Sequence, residues 1–401
     1  MGQGRRSRIG LKFAERSAIL TVVAALLGLT GCGGAGTSGT AQGGAPWDIT
    51  FISATTGNYA GFGFDEQAGM SIAADDINGA GGIEGRKVNL HFADTQSDIA
   101  QAVSIARQQC TSGAVVILGP ITSAEDKAVA PVVNSAGCPI LFPSAAASGL
   151  ASNFRPWTFQ LSMTAEKQTP DGVGKFYDAV HPTSAQVIVA SDDPSALDQG
   201  TRATDALTAK GVKVSKVTVT AALVDIAPVV TRVAAARPDS IVISTGEPMA
   251  ISLFREIAKQ NITNIPLLLT PAGYSSNVIK LEPSVTNGHY IYTQFWSGNP
   301  DPKVKAFVDK YHRARQGADP TQLATQGYDT LSLVKYAYEK CKVTGQSSKL
   351  TSERKCFRDA IQGLKDYKGL TGTYTMGSDG VATVGMYLLQ FKNGTLTKVA
   401  G

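Results

Sequence analysis

From Asp48 onward the chain alternates short β-rich runs with longer helical patterns, and this alternation limits the possible fold more than any other feature. DITFIS precedes DEQAGMSIAADDIN, KVNLHFA precedes DIAQAVSIARQQC, AVVILG precedes SAEDKAVAPVVNS, and PILFP follows. Strands separated by helices predict a mainly parallel sheet with helices on its faces. The plan restarts after Met163, with QVIVAS, KVSKVTVT, DSIVIST, IPLLLT and HYIYTQF set between helical segments, so a second α/β unit is expected. At 401 residues the chain exceeds one ordinary core, in keeping with two lobes.

In the first helical segment Phe64, Ala68 and Ile72 stand four apart, a stripe expected to face the sheet. Gly79-Ala80-Gly81-Gly82 then ends the helix. Three long helical patterns follow Phe295: DPKVKAFVDKYHRARQ, TQLATQGYDTLSLVKYAYEKC and TSERKCFRDAIQGL. After Gly369 the text turns to hairpin chemistry, TGTYTM, GSDG and VATVGMYLLQF with a closing NGT, which predicts an antiparallel ribbon.

The amino terminus reads as a targeting segment. Arg5, Arg6, Arg8, Lys12 and Arg16 precede an uncharged apolar run from Ala18 to Leu29, shorter than the ~20 residues of a membrane-spanning helix. Residues 1–31 are therefore expected to be a secretory signal, and the residues after Arg5-Arg6 fit the general route better than the twin-arginine one. Leu29-Thr30-Gly31-Cys32 resembles a bacterial lipobox, which implies cleavage before Cys32 and a lipid anchor on it. Residues 32–46, rich in Gly, Ser and Thr, suit a flexible leash. The leader's five bases against Glu15 carry four of the formal +5, leaving about +1, so no basic field points to nucleic acid.

Without Cys32 the remaining cysteines, Cys110, Cys138, Cys341 and Cys356, form an even set in an exported chain, where disulfides are expected. Three connectivities are possible. Pairing of nearest neighbours is favoured because each pair flanks a local unit. Metal and redox readings find no support: there is no CxxC, and His91, His181, His289 and His312 lack ligand spacing.

Open parallel sheets bind ligands outside the carboxyl ends of their strands. LGPITSAEDK, residues 118–127, stands at such a place. Ser123 precedes Asp126 by three, the spacing of a capping box, while the helix start also gathers unpaired N–H groups that suit an anion. PILFPSAAASGL, residues 139–150, again ends a strand in small residues that let something approach the backbone. Enzyme motifs are thin. GFGFDE has Glu66 where GxGxxG needs its third glycine, and neither GxSxG nor GxxxxGK[ST] occurs. Asp75-Asp76, Asp192-Asp193 and Glu125-Asp126 read most simply as solvated charges.

The order of these features resembles the type I periplasmic binding proteins of the branched-chain amino acid transport class. TTGNYAGFGFDEQAGMSIAADDINGAGGIEGRKVNLHFADTQSDIAQAVSIARQ carries the resemblance, with INGAGGIEGRKV its most specific part, and GPITSAEDKAVAPVVN and PILFPSA continue it. The resemblance implies a two-lobed α/β fold whose lobes, each a mainly parallel sheet flanked by helices, are joined by three crossovers, here expected near Ser162, Phe295 and Thr373. Residues 47–162 and 295–372 would then form lobe 1, and 163–294 with 373–401 lobe 2.

Carried over by position, Ser123, with its neighbour Thr122, corresponds to the hydroxyl that meets a ligand carboxylate, and Ala145 to a carbonyl that accepts from a ligand ammonium. A family threonine is replaced by Ala146, leaving Ser144 or Ser148 to substitute. Aromatic positions of the second lobe fall near Leu197 and near Gly246 or Glu247, and the family acid that pairs with the ammonium stands as Ala272. A buried ammonium without a carboxylate costs several kcal/mol, about enough to weigh against an ordinary α-amino acid. Glu247 could supply the charge, or could be a first-turn helix acid. Phe62, Tyr274 and Tyr328 are candidate cleft aromatics or plain lobe packing.

The resemblance thus implies a monomeric lipoprotein on the outer face of the cytoplasmic membrane, binding a small ligand by lobe closure and passing it to an ABC permease, without cofactor, metal or chemistry. Branched-chain amino acids are the family default; aromatic or aliphatic acids and amides compete. The alternatives are a ligand-sensing module for a signalling partner and, with less support, an exported α/β enzyme.

Overall fold

The computed structural model describes residues 44–220 and 222–400. The expected signal (1–31), Cys32 with its expected lipid, and most of the expected leash lie outside the described residues. No helix among the described residues is long and apolar enough to cross a membrane.

The first lobe opens with β1 (Trp47–Ser53), α1 (Ala60–Gly79), β2 (Val88–Asp94), α2 (Ile99–Thr111), β3 (Ile117–Leu118), α3 (Ser123–Ser135), β4 (Ile140–Phe142) and β5 (Thr158–Gln160). Its five strands run parallel in the order β2-β1-β3-β4-β5. Both faces of the sheet are covered, so successive residues enter different cores. Phe51, Leu118 and Leu141 pack on one side with Met70 and Leu331, while Ile52, Ile117, Ile140 and Phe142 pack on the other with Ala106, Val129 and Val133. That is why β3 and β4 read as unbroken apolar runs, while the edge strand β2, VNLHFAD, stays largely exposed.

The chain then builds the second lobe: α4 (Ala165–Val180), β6 (Ser184–Ala190), α5 (Pro194–Ala209), β7 (Lys213–Val219), α6 (Ala227–Ala235), β8 (Ser240–Ser244), α7 (Glu247–Lys259), β9 (Leu267–Leu269), the single turns α8 (Ser276–Ile279) and α9 (Pro283–Thr286), and β10 (Tyr290–Thr293). It returns to the first lobe with α10 (Pro302–Ala314), α11 (Gln322–Cys341), α12 (Leu350–Gln362), β11 (Tyr367–Lys368), β12 (Thr373–Met376) and β13 (Ala382–Thr383), and ends with β14 (Tyr387–Lys392) and β15 (Thr395–Lys398). The second sheet has the order β15-β14-β10-β9-β8-β6-β7, parallel except where β14 meets β10 and β15. Ile241, Ile243, Leu267 and Leu269 face one core, and Val187, Val242 and Leu268 the other.

Two expectations need correction. The carboxyl-terminal ribbon does not belong wholly to lobe 2: Tyr374, Met376, Ala382 and Val384 join the first-lobe core with Phe357 and Ile361, and Val381 bridges to Gln160 beside β5. The third crossover therefore lies between β13 and β14 rather than near Thr373, because the apolar residues of β12 and β13 find their cover under α12. The Phe64/Ala68/Ile72 stripe does not face the sheet either. Phe64 is 42% exposed, and Ile72 and Ala68 pack with Phe307, Tyr311 and Ala324. Phe62, Met70, Ala73 and Ile77 take the sheet side, since α1 lies between the sheet and the α10–α11 layer and needs two apolar faces. Contact with α11 is close enough that a Cβ at Gly69 would collide with the Ala324 carbonyl and one at Gly327 with that of Glu66.

The disulfides pair nearest neighbours. Cys110–Cys138 ties the end of α2 to the entry of β4, and Cys341–Cys356 ties α11 to α12.

Candidate functional site

Strand β3 ends at Gly119, whose φ of +79° and close approach to the Ile52 carbonyl exclude a side chain. The chain turns there into α3. Thr122, not Ser123, is the N-cap: its Oγ1 accepts from the Glu125 N–H at 3.3 Å and donates to Glu125 Oε2 at 2.8 Å. The capping box is thus Thr122–Glu125, one residue before the expected Ser123–Asp126, because Thr122 holds the extended backbone a cap requires. Ser123 is freed from capping, and its Oγ accepts from the Ala147 N–H at 3.2 Å. Ser123 and Ala124 both face the space between the lobes, where first-turn N–H groups lack intrahelical acceptors.

The loop after β4 forms the adjoining wall with Ser144, Ala145 and Ala146. Ser144 Oγ donates to the Ile121 carbonyl at 3.1 Å, joining the two loops. Buried Gln160 shapes the loop from behind, its Nε2 donating to the Ala145 and Ala147 carbonyls at 3.2 and 3.1 Å and its Oε1 accepting from Ala151 N–H at 2.9 Å. Tyr59 and Phe62, edge-to-face at 5.9 Å between centroids, close another side with Leu323 and Gln322 of α11.

The second lobe supplies Asp193, Ser195, Gln199, Pro271 and Ala272. Asp193 caps α5, with Oδ1 accepting from Ser195 N–H at 2.9 Å and Ala196 N–H at 3.0 Å. Its Oδ2 accepts from Tyr59 Oη–H across the cleft at 2.8 Å. Gln199 donates to Ser195 Oγ at 3.0 Å and accepts from Ala272 N–H at 3.1 Å, so it fixes both loops of this wall. The lobes also meet through Ser148 N–H to Asp198 Oδ2 at 2.8 Å, and through Asp65, which accepts from Ser276 N–H at 2.9 Å and Ser276 Oγ at 2.6 Å. They leave a cavity of about 40 Å³. That is well below the roughly 150 Å³ of a cavity that takes up benzene, so the closed cleft is narrow for an organic ligand.

Of the residues singled out in the sequence, Phe62, Thr122, Ser123, Ser144, Ala145, Ala146 and Ala272 line this cavity together. Four do not. Leu197 is 42% exposed and lines a neighbouring groove with Lys127, Phe154 and Arg202. Glu247 is buried at the start of α7, where Oε1 accepts from Asn277 Nδ2 at 2.7 Å and the side chain presses on Gly61; burial raises its carboxyl above the usual range. Tyr274 is buried in the second-lobe core, and Tyr328 donates to Asp76 Oδ2 at 3.1 Å on the side of α11 that packs against Phe307, away from the cleft.

Two acid pairs also differ from the solvated reading: Glu125 and Asp126 are buried, and Asp193 lines the cleft. Besides Asp193, which the sequence suggests is a solvated charge, Tyr59, Ser195, Gln199 and Gln322 line the cavity without a sequence reading that places them there. The rule that sites gather at carboxyl ends of strands applies to QVIVASDDPS as it does to LGPITS, and would have found Asp193 and Ser195. Gln199 and Gln322 come from helix positions with no such signal.

The periplasmic binding protein family model matches residues 46–395. A Leu/Ile/Val-binding protein homologue of Brucella melitensis biotype 1 is 36% identical over 115 residues, 27% of this chain and 31% of that protein. The aligned stretch is thus about a third of the curated relative's length. Among solved structures, a leucine binding protein from Thermotoga maritima MSB8 superposes with a TM-score of 0.78 at 20% identity, covering 88% of this chain and 97% of that one. The solute binding protein of an ABC transporter from Rhodopseudomonas palustris BisB5, in complex with 3,4-dihydroxy benzoic acid, gives 0.76 at 17% identity, covering 89% and 96%. At these identities the two structures speak to the fold alone, and they share its two-lobed α/β plan. With a family match over most of its length, the chain belongs to the periplasmic binding proteins.

Proposed function

We propose that the protein is the ligand-capturing component of an ABC importer outside the cytoplasmic membrane, anchored through Cys32, and that it takes up a small carboxylate, amide or amino-acid-type solute. The observation that carries this reading is the cavity between the lobes, where the start of α3 with Ser123 faces Asp193, Ser195 and Gln199 from the opposite lobe. One wall offers hydrogen-bond donors suited to a carboxylate, and the other belongs to a body that moves when the lobes part. Binding perturbs an open–closed equilibrium by favouring the closed form, and no chemistry is performed. The site is assembled only on closure, so release to a permease requires no more than reopening.

Thermal unfolding against amino acids, amides, aromatic acids and sugars tests the proposal, because a ligand that binds only the folded chain raises the midpoint. At 100 times its Kd such a ligand contributes about 2.7 kcal/mol. Ser123→Ala is expected to reduce the rise given by a carboxylate ligand and to leave that of a neutral amide nearly unchanged. If no member of the panel moves the midpoint, the proposal fails.

A further inference from the structure

The near-neutral charge of the chain after its expected leader hides a separation. Residues 301–368, which build α10, α11, α12 and β11, hold fourteen lysines and arginines against eight acids, a net +6. All other residues after the leader together carry about −5. Within the basic segment α10, α11 and β11 enclose a cavity of about 380 Å³, apart from the interlobe cleft, lined by Lys303, Lys310 and Lys368 and by Phe307, Tyr328 and Tyr367. Its two acids are already engaged. Asp76 pairs with Lys310 and accepts from Tyr328 Oη–H at 3.1 Å, and buried Asp329 accepts from the Leu370 and Thr371 N–H groups at 2.7 and 2.8 Å. Lys368 Nζ donates to Thr373 Oγ1 at 2.9 Å, and the Lys303 ammonium has no partner among the described residues. Two exposed cations are thus left to meet an anion.

The expected anchor joins the fold at the same layer. Arg86 stacks on Trp47 at 3.4 Å, and Trp47 packs edge-on against Tyr338 near the end of α11, with 5.0 Å between centroids. Fifteen residues, 32–46, precede Trp47, which keeps this end of α11 within roughly 50 Å of a lipid on Cys32. Along α11 from that entry toward the cavity, Lys340 lies over the Tyr336 ring at 5.3 Å, and Tyr336 meets Tyr367 of the cavity wall at 5.6 Å. A tether at one end of a basic, tyrosine-bearing strip, with room for an anion along it, complements a surface of anionic headgroups.

We propose that this layer of lobe 1 docks on anionic phospholipid, with the cavity receiving a headgroup phosphate between Lys303 and Lys368. The proposal draws on the expected anchor at Cys32 and is independent of what the cleft binds. Docked in this way, lobe 1 is the body held at the membrane and lobe 2 is the one that moves on closure.

Sedimentation with lipid vesicles tests this on the chain from residue 32 with Cys32→Ser, which cannot carry the lipid and keeps every described residue. The expected result is partition onto vesicles containing phosphatidylglycerol and none onto pure phosphatidylcholine. Raising the salt from about 0.01 M to about 1 M is expected to release the protein, as the Debye length falls from about 30 Å to about 3 Å. Lys303→Gln/Lys368→Gln is expected to weaken the partition on the order of 10-fold. Lys213→Gln/Lys216→Gln, equal in charge and exposed on β7 of lobe 2, is expected to leave it nearly unchanged. Melting curves verify that both double variants are folded. Absence of partition at low salt overturns the inference, and so does equal partition onto the two lipids. Equal losses in the two double variants also overturn it, since net charge alone would then attract the chain. If inorganic phosphate binds by calorimetry, is lost in Lys303→Gln/Lys368→Gln, and vesicles do not bind, the cavity serves free phosphate and the membrane role falls. A wild-type chain that mass spectrometry finds without lipid on Cys32 overturns the anchor reading instead and leaves the vesicle result standing.

Discussion

One turn along from the cleft-lining Phe62 and Ser123 stand Glu66 and Asp126, both fully buried; Asp126 has no hydrogen-bond partner on either carboxyl oxygen, and Glu66 has only the Ser144 hydroxyl nearby. Burial, reinforced by neighbouring acids, holds both carboxyls well above the usual carboxylate range. A raised folded-state value means that the folded chain keeps its proton at a pH where the unfolded chain has lost it. The stability this confers is full below the unfolded value, 4.5 for Glu66, and is lost as pH rises through the folded one. Glu66→Gln and Asp126→Asn are therefore expected to stabilise the protein at pH 8, by about 1–3 kcal/mol each, with the advantage shrinking toward pH 4.5. Melting curves of variant and wild type across that range check it, and an advantage that does not narrow on acidification contradicts it. His289, whose imidazole burial lowers to about 4, acts in the opposite sense: its contribution is lost as pH falls from 6.5 toward 4. Comparing variant with wild type at each pH cancels that background. None of this was legible in the sequence, where Glu125-Asp126 looks like the charged first turn of any helix. Packing around α1 and α3, invisible in their own sequences, removes these groups from water.

At the scale of elements, β-strand identity was legible because parallel strands covered on both faces are written as apolar runs, as in AVVILG and DSIVIST. Helix orientation was less so: α1 carries apolar residues on two faces, and nothing in its own sequence says which meets the sheet. The same double burial creates an interlobe contact that the sequence did not announce. Asp65 on α1 is held within its lobe by the Tyr311 hydroxyl at 3.0 Å and the Thr321 hydroxyl at 3.1 Å, and it reaches the other lobe through Ser276. Asp65→Asn would set an amide N–H against the Ser276 donors or abandon one of its bonds. The expected outcome is a ligand affinity lowered about 10-fold, corresponding to ~1.4 kcal/mol, although Asp65 does not line the cavity. Equilibrium titration of the variant checks this. Unchanged affinity would mean that the Asp65–Ser276 contact persists when the lobes part.

For the whole molecule, the two-lobed plan and the loops that meet between the lobes could be read from strand–helix alternation and from the resemblance of INGAGGIEGRKV and GPITS to a known pattern. The split of the terminal ribbon could not, because VATVGMYLLQF is continuous in sequence and its division between two sheets depends on which core lies nearer. The bonds between the lobes include Tyr59–Asp193, Ser148–Asp198, Asp65–Ser276 and Lys167–Asp379, around a cavity of about 40 Å³. Such a contact is weak enough for solvent to reopen and for a ligand's differential affinity to reclose. Small-angle X-ray scattering of the protein with and without a ligand found in the thermal panel tests this central claim most directly. Lobe closure predicts a smaller radius of gyration at saturating ligand and a cavity-lining variant such as Ser123→Ala that compacts only at higher ligand concentration. A bound ligand that leaves the radius of gyration unchanged would contradict capture by closure.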